Sequence, residues 1–308
     1  MKQRLVLLGG SGWMGQSLLR YLSVRNARSQ FETVILDPKK PEFYAPDHYL
    51  PAGIEDLEKI YALVKPEDIV IHLVHTTIPS ESMSAPFREV KENLGPSIKL
   101  IELFKQKPVA GFVFLSSGGT IYGEQVLRRP LQETAAPNPN SFYAHTKLII
   151  EQALAVAAKM GFLKYLVLRP ANPFGPLQEK LNRHGAVAQI FRSLVQDLEF
   201  TIYGEGETVR DYIYLDDLLS ALVLLVRKPF SNQVFNVGSG TGTSLMQLIA
   251  LCENISGQTL RKSYKPLRAA DLKYNVLDAS KLMAQGWTPQ FSLEQGLKKT
   301  WEYFSQAK

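Results

Sequence analysis

The stretch "LLGGSGWMGQSLLRYL", residues 7–22, decides the first element of the fold. It continues an apolar run that begins at Leu5 and carries Gly9, Gly12 and Gly15 at three-residue spacing, and a long amphipathic run follows. Strand, tight turn and helix in that order open a βαβ unit. Gly9 permits the turn. Gly12 lets the backbone approach a ligand, and Gly15 lets the helix pack close to the strand. The helix N-terminus then offers N–H groups and a partial positive charge to phosphates, so the loop suits a dinucleotide.

Glycines alone would also serve a plain strand–helix turn. A second signal is Asp37, which ends the next apolar run, "TVILD". A carboxylate there accepts both hydroxyls of a ribose and repels a 2′-phosphate, which favours NAD over NADP. Lys39 and Lys40 follow directly and offer the opposite charge to a phosphate.

The chain has 308 residues and is 45% hydrophobic, enough for one large domain or two modest ones. Its single cysteine, Cys252, allows no internal disulfide and fits a reducing compartment. No charged-then-apolar leader precedes Arg4, and no apolar run nears the roughly 20 residues that cross a bilayer. The expectation is a cytoplasmic protein without membrane contact. The net charge of +6 is scattered in pairs such as Lys39-Lys40 and Arg128-Arg129. That pattern favours a small anionic substrate over nucleic acid.

Short β-branched runs at residues 4–8, 33–36, 69–74, 111–115, 164–168 and 234–237 alternate with helical patterns at 14–24, 57–63, 87–104, 141–160 and 216–226. Several of the strands are almost continuously apolar, as strands buried on both faces are. The alternation predicts a parallel sheet with right-handed crossovers. Residues 173–206, rich in Pro, Gly and Asn, and the tail from 243 break the alternation. The expected division is 1–172 plus 209–241 as a dinucleotide-binding domain, and 173–208 plus 242–308 as a smaller second domain.

In "YAHTK", Tyr143 and Lys147 stand four apart on a predicted helix, so both project from one face. The segment follows "FLSSGGTIYG", at the end of a predicted strand, where ligands of open α/β sheets sit. A tyrosine titrates near 10, so action near neutrality needs about three units, or roughly 4 kcal/mol. One cation at about 4 Å in an effective dielectric of about 20 supplies roughly that much. On this reasoning Lys147, helped by the positive ring of NAD, readies Tyr143 as a base.

The order and spacing of "GGSGWMG", "IHLVH", "ENLG", "FLSSGGTIYG", "YAHTK", "LRPANPFGP", "YGEGETVRDYIYLDD", "FNVGSG" and "PLRAAD…GWTP" run nearly end to end. In them the chain resembles the extended short-chain dehydrogenase/reductase family, the NAD-dependent sugar-nucleotide epimerases and dehydratases. The resemblance implies an α/β fold: a Rossmann-type, doubly wound parallel sheet of seven strands with a smaller C-terminal domain for a nucleotide-sugar. It implies NAD as cofactor, held by Gly9, Gly12, Trp13, Met14, Gly15, Asp37, Leu73, Asn93, Ser116, Tyr143, Lys147 and Pro170. It makes Tyr143 the proton-transfer group, with Lys147 beside it. Asn172, Tyr203, Arg210 and Arg268 would hold the substrate, and two arginines against a diphosphate match its oxygens with forked donors. A homodimer built from helix pairs is usual in the family.

The departures are informative. Where the family often has Ser or Thr, five places before the glycine of "IYG", stands Gly118, so the polarising hydroxyl falls to Ser117 or Thr120. "HLVHT" replaces a small pair with Val74 and His75, which puts both near the cofactor; His75 is the only histidine with a functional reading, and a structural hydrogen bond is the expectation for it. The family's "GDI" contact to adenine reads "GIED", which brings in Asp56. Dehydratases of the family carry an Asp-Glu pair, and decarboxylases a Glu, where this chain has Gly119 and Thr120. With no carboxylate to shuttle a proton there, the expectation is a 4-epimerase of a UDP-hexose working through transient oxidation at C4. The alternatives are an NAD(P)H-dependent reductase of a 4-keto sugar nucleotide and, outside enzymes, an NAD-binding sensor.

Overall fold

A computed structural model describes residues 2–124, 128–178, 185–266 and 272–306. In chain order the strands are β1 (Gln3–Leu8), β2 (Phe31–Leu36), β3 (His48–Leu50), β4 (Ile69–His72), β5 (Gly111–Leu115), β6 (Tyr165–Pro170), β7 (Asn172–Phe174), β8 (Phe200–Tyr203), β9 (Val209–Tyr214), β10 (Gln233–Val237), β11 (Gly242–Ser244), β12 (Lys262–Lys265) and β13 (Tyr274–Asn275). The chain forms two compact units. One comprises Met1–Ser117, Ser141–Arg169 and Leu222–Phe235; the other comprises Gly118–Asn140, Pro170–Ala221 and Asn236–Lys308.

The first unit is built on a seven-stranded sheet of order β10-β6-β5-β4-β1-β2-β3. Pairing is parallel from β6 through β5, β4, β1 and β2 to β3. Parallel strands need long crossovers, and helices such as Trp13–Val24, Gly95–Leu103 and Phe142–Lys159 occur between them in sequence. The strand order reverses direction between β1 and β4, which makes the carboxyl ends of these two strands the switch point of an open α/β sheet. Val6, Leu8, Val34, Val70, Phe112, Phe114 and Val167 from the strands pack with Leu100, Phe104, Ile150 and Leu154 from the helices. This is the doubly wound α/β fold that the alternating pattern implies.

The differences in detail have physical causes. β3 has no counterpart among the expected strands, because a three-residue strand with an exposed His48 carries no periodic signal. The helix expected over 87–104 is split: Pro86–Arg88 runs into a π-helical turn, Glu89–Leu94, before Gly95–Leu103. Pro96 has no N–H to close an α-helical bond on Glu92, so the backbone re-registers one turn earlier. The strand expected over 69–74 ends at His72, leaving Val74 and His75 in the loop beyond.

The second unit has its own core. Phe174, Phe191, Phe200, Tyr214, Leu248, Leu297 and Phe304 cluster there, and Cys252 is buried among them. β9 pairs with β7, β11 and β13, and β8 pairs in parallel with β12. Asp211, fully buried in β9, accepts from Ser239 N and Oγ at 2.9 and 2.6 Å and from Leu277 N at 3.3 Å. Among the described residues no helix is long and apolar enough to cross a membrane, and no cluster of side chains has metal-ligand geometry.

Candidate active site

The glycine loop follows β1. Gly9 lies at φ +76°, a backbone state that favours glycine, and a Cβ on it would meet Val74 Cγ2 at 2.9 Å. A Cβ on Gly15 would fall 2.2 Å from the Gly10 carbonyl oxygen, so only glycine lets the helix start there. A Cβ on Gly12 would meet only the Gly9 carbonyl oxygen, at 3.3 Å, and would otherwise project into open space. Gly12 begins the helix Trp13–Val24 with no side-chain cap and no acidic residue in the first turn. An open, uncapped helix N-terminus of this kind fits a pyrophosphate. Trp13 and Met14 form that first turn. Asp37, just after β2, accepts from Ser11 N at 3.1 Å and from Lys39 N at 2.8 Å. Those two bonds fix the carboxylate beside the loop and leave lone pairs for ribose hydroxyls. Asp56 instead accepts from Gly53 N at 2.9 Å.

Past β5, Ser117 hydrogen-bonds the Tyr143 phenol. The helix Phe142–Lys159 that carries Tyr143 is capped by Ser141, whose Oγ accepts from Ala144 N. The Lys147 ammonium, one turn on, is buried. Its Nζ donates to Leu115 O at 2.8 Å and sits 4.7 Å from the Phe114 ring centroid and 5.8 Å from that of Tyr143. One turn further, Glu151 is paired with Arg169 (Nη2–Oε2 2.6 Å) and accepts a hydrogen bond from Ser116.

Here the electrostatics depart from the expectation. Burial pushes the Tyr143 phenol up to about 12, against the Ser117 hydrogen bond. Burial also pulls Lys147 down to about 7, although Glu89 and Glu151 favour its charge. A coulombic balance alone therefore underestimates the requirement, because desolvation penalises both charged forms at once. In the ligand-free chain Lys147 is poised near neutrality and Tyr143 holds its proton.

The loop after β4 and the π-turn hold the expected Leu73, His75 and Asn93, and add Glu89, which the sequence did not advertise. Leu73 N donates to Leu8 O at 3.0 Å. Asn93, buried, accepts from Thr76 N at 2.9 Å and donates to Glu89 at 3.2 Å. His75 Nε2 lies 3.2 Å from Glu89 Oε2, and its ring meets the Tyr143 ring edge-on at 4.4 Å. Glu89 sits in "FREVKEN", which reads as a solvated charge run. Glu151 had a signal, being eight residues after Tyr143 and four after Lys147.

The second unit contains a cavity of about 280 Å³ whose lining includes Asn172, Tyr203 and Arg210. Asn172 Nδ2 donates to Asp211 O at 2.9 Å. Arg210 Nη1 donates to Val209 O at 2.9 Å. Pro170 and the short helix Gly118–Ile121, with Thr120, also belong to this unit. Arg268 lies outside the described residues.

Known proteins share this fold. The sequence profile described as "NAD dependent epimerase/dehydratase family" matches residues 5–238. The chain belongs to that family. NAD is the family's cofactor, and the open Gly12 cradle, Asp37 and buried Lys147 fit it. A UDP-glucose 4-epimerase from Thermotoga maritima, solved with UDP-glucose, is 36% identical, with a TM-score of 0.91 over 99% of both chains. A UDP-glucose 4-epimerase from Thermus thermophilus, solved with NAD, is 29% identical, with a TM-score of 0.89 over 99% of this chain and 100% of that one. A dTDP-4-dehydro-6-deoxyglucose reductase of Escherichia coli is 27% identical over 312 residues, 97% of this chain and 96% of that protein.

The poised lysine has a thermodynamic signature. Between about 7, where folded Lys147 titrates, and its ordinary 10.5, the unfolded chain binds the extra proton, so stability rises with pH in that window. From about pH 7 to about pH 9 the ligand-free chain should gain stability relative to Lys147→Met, with a slope approaching about 1.4 kcal/mol per pH unit. Urea denaturation of both chains across that range measures it, and parallel pH dependences would contradict the buried-amine assignment.

Proposed function

We propose that this chain is a 4-epimerase acting on a UDP-hexose with NAD as cofactor. The observation that carries this reading is the Tyr143–Ser117 hydrogen bond beside buried Lys147, on a chain with no carboxylate at positions 118–120. When bound, NAD supplies reversible two-electron oxidation of a sugar carbon. Tyr143 takes the proton from the sugar's 4-hydroxyl and later returns it. Ser117 polarises the same oxygen, and Lys147 holds the nicotinamide ribose and favours the tyrosinate. Glycine at 119 supports turnover of the keto sugar: a Cβ there would meet nothing closer than Asn172 Oδ1, at 3.6 Å. Asn172, Tyr203 and Arg210 receive the nucleotide end, with Arg268 as a second phosphate contact. The division of labour we infer, in the cytoplasm, is cofactor binding by the first unit and sugar-nucleotide binding by the second, with the expected boundaries at 172 and 209 shifted so that Asn172 and Arg210 lie in the second unit.

The test is incubation with UDP-glucose, UDP-galactose and their N-acetyl forms without added reductant, with products read by mass and NMR. Isomers of unchanged mass are expected. A product lighter by one water would overturn the reading, and no reaction until NAD(P)H and a keto sugar are supplied would favour the reductase's chemistry instead. Tyr143→Phe should lower turnover by about 10²–10⁴-fold while leaving substrate affinity nearly intact.

Arg210→Ala should weaken binding of free UDP. A charge-assisted hydrogen bond is worth roughly 1.5–3 kcal/mol, so the loss is about ten- to a hundredfold. Calorimetric titration with UDP reads it, and unchanged binding would make Arg210 structural.

We also infer a homodimer. Phe142, Ile149, Val156 and Met160, at intervals of seven, seven and four, form an exposed apolar stripe along the helix Phe142–Lys159 and its C-cap. A stripe of that spacing is suited to a matching helix in a second copy. Ile149→Glu should shift the mass measured by light scattering toward that of a single chain; an unchanged dimer would place the interface elsewhere.

A further inference from the structure

Glu89 is 1% exposed and opens the π-helical turn Glu89–Leu94. A carboxylate is costly to bury unless donors surround it. Two side chains donate to it: Thr77 Oγ1 to Oε1 and Asn93 Nδ2 to Oε2 at 3.2 Å. His75 Nε2 approaches Oε2 to 3.2 Å without hydrogen-bond alignment, so it is a polar contact and not a third donor. The surrounding backbone is stitched in the same way, with Thr76 N donating to Asn93 Oδ1 at 2.9 Å. An apolar pair would fill this space without any of these requirements.

The cluster abuts Tyr143. The His75 ring packs edge-on against the Tyr143 ring, with centroids 4.4 Å apart and planes at 69°. Tyr143 N donates to Ser82 Oγ at 3.1 Å, so the backbone is held from the helix Pro79–Ser84 while the ring is held by His75.

We propose that Glu89 and His75 are a positioning pair for Tyr143: the carboxylate orients the imidazole against the tyrosine ring, and its buried negative charge governs when the phenol gives up its proton. The proposal rests on the reading of Tyr143 as the proton-transfer group and deepens it.

The charges around the pair are accounted for on every side. On the helix Phe142–Lys159, Lys147 is held by Leu115 O, and Glu151 is neutralised by Arg169 of β6. On β4, His72 is buried against Ser97 Oγ at 2.9 Å, and burial holds it down to about 3, so it is neutral. On the π-turn, Glu92 pairs with Arg88 at the surface. Glu81, on the helix Pro79–Ser84, is partly exposed. Burial pulls His75 down to about 4, with Lys147 adding to the effect and Glu89 opposing it, so His75 is also neutral near pH 7. Burial works against ionisation of Glu89, but the nearby His75 imidazole and the bonds from Thr77 and Asn93 outweigh it and hold the carboxyl below its usual range. The pair therefore carries one net negative charge next to the phenol. A negative neighbour disfavours tyrosinate and favours ammonium, so removing it should move the titrations of Tyr143 and Lys147 in the same direction, downward.

The experiment uses the full chain and needs no substrate for its first readout. Tyr143 ionisation is followed by NMR of chains labelled with carbon-13 at tyrosine Cζ, as the difference from matching Tyr143→Phe chains. In Glu89→Gln, Tyr143 should ionise about one pH unit lower, a tenfold larger ionisation constant. The pH profile of kcat/KM should move down on both limbs, so that at acidic pH the variant outperforms the wild type. His75→Leu, which keeps Thr77 and Asn93 on Glu89, serves if Glu89→Gln does not fold. It should lower kcat about tenfold and leave KM within about twofold. An unchanged Tyr143 midpoint in a folded Glu89→Gln, or a wild-type kcat in His75→Leu, would reduce the pair to a stitch for the loop. If Tyr143→Phe itself stays active, the functional reading has failed; if it is inactive while the midpoint stays put, only the positioning pair has.

Discussion

The first unit depends on one steric constraint: the absence of side chains where the helix Trp13–Val24 meets the end of β1. At Gly15 a single methyl group would occupy the place of the Gly10 carbonyl oxygen, 2.2 Å away. Close packing leaves no slack to absorb that. Because the helix can start so near the strand, its N-terminus points into the switch point between β1 and β4. The open space beyond Gly12 and the anchored Asp37 then follow from where β1 and β2 end.

Around that scaffold the first unit buries an unusual set of ionisable groups: Lys147, Glu89, Glu151 and Arg169. Each is compensated in its own way. Arg169 and Glu151 neutralise one another through a forked contact. Lys147 has a backbone carbonyl and an aromatic face as its nearest partners, so it stays near its titration point. Glu89 relies on neutral donors. Buried ion pairs contribute little to stability, and this set is better understood as holding Tyr143 in an environment whose charge is defined to within one proton.

The second unit works by different means. Its polar residues organise backbone more than they hold charge. Asp211 gathers the amides of Ser239, Gly240 and Leu277, and Asp217 does the same for Gln290 and Phe291. Those turns shape a unit whose cavity brings Asn172, Tyr203 and Arg210 together from β7, β8 and β9. Arginine and tyrosine on a cavity wall are suited to a diphosphate and a base.

How much of this could be read from the chain depended on whether the signal was local. The glycine spacing, the apolar strands and the four-residue interval from Tyr143 to Lys147 are properties of one element, so periodicity and backbone sterics expose them directly. The helix bounded by Ser141 and Met160 is legible for that reason. β3 and the π-turn at Glu89–Leu94 are not, because a three-residue edge strand and a shift in helical register have no period of their own. The burial that reverses the simple charge argument at Tyr143 comes from residues far apart in sequence, and no sequence window contains a desolvation penalty. The run of contacts from Glu89 through His75 to Tyr143 joins a π-turn, the loop after β4 and a helix. Order and spacing along the chain determined the fold and the candidate residues; only tertiary packing decided which of them share a dielectric environment, and so which of them can move a proton.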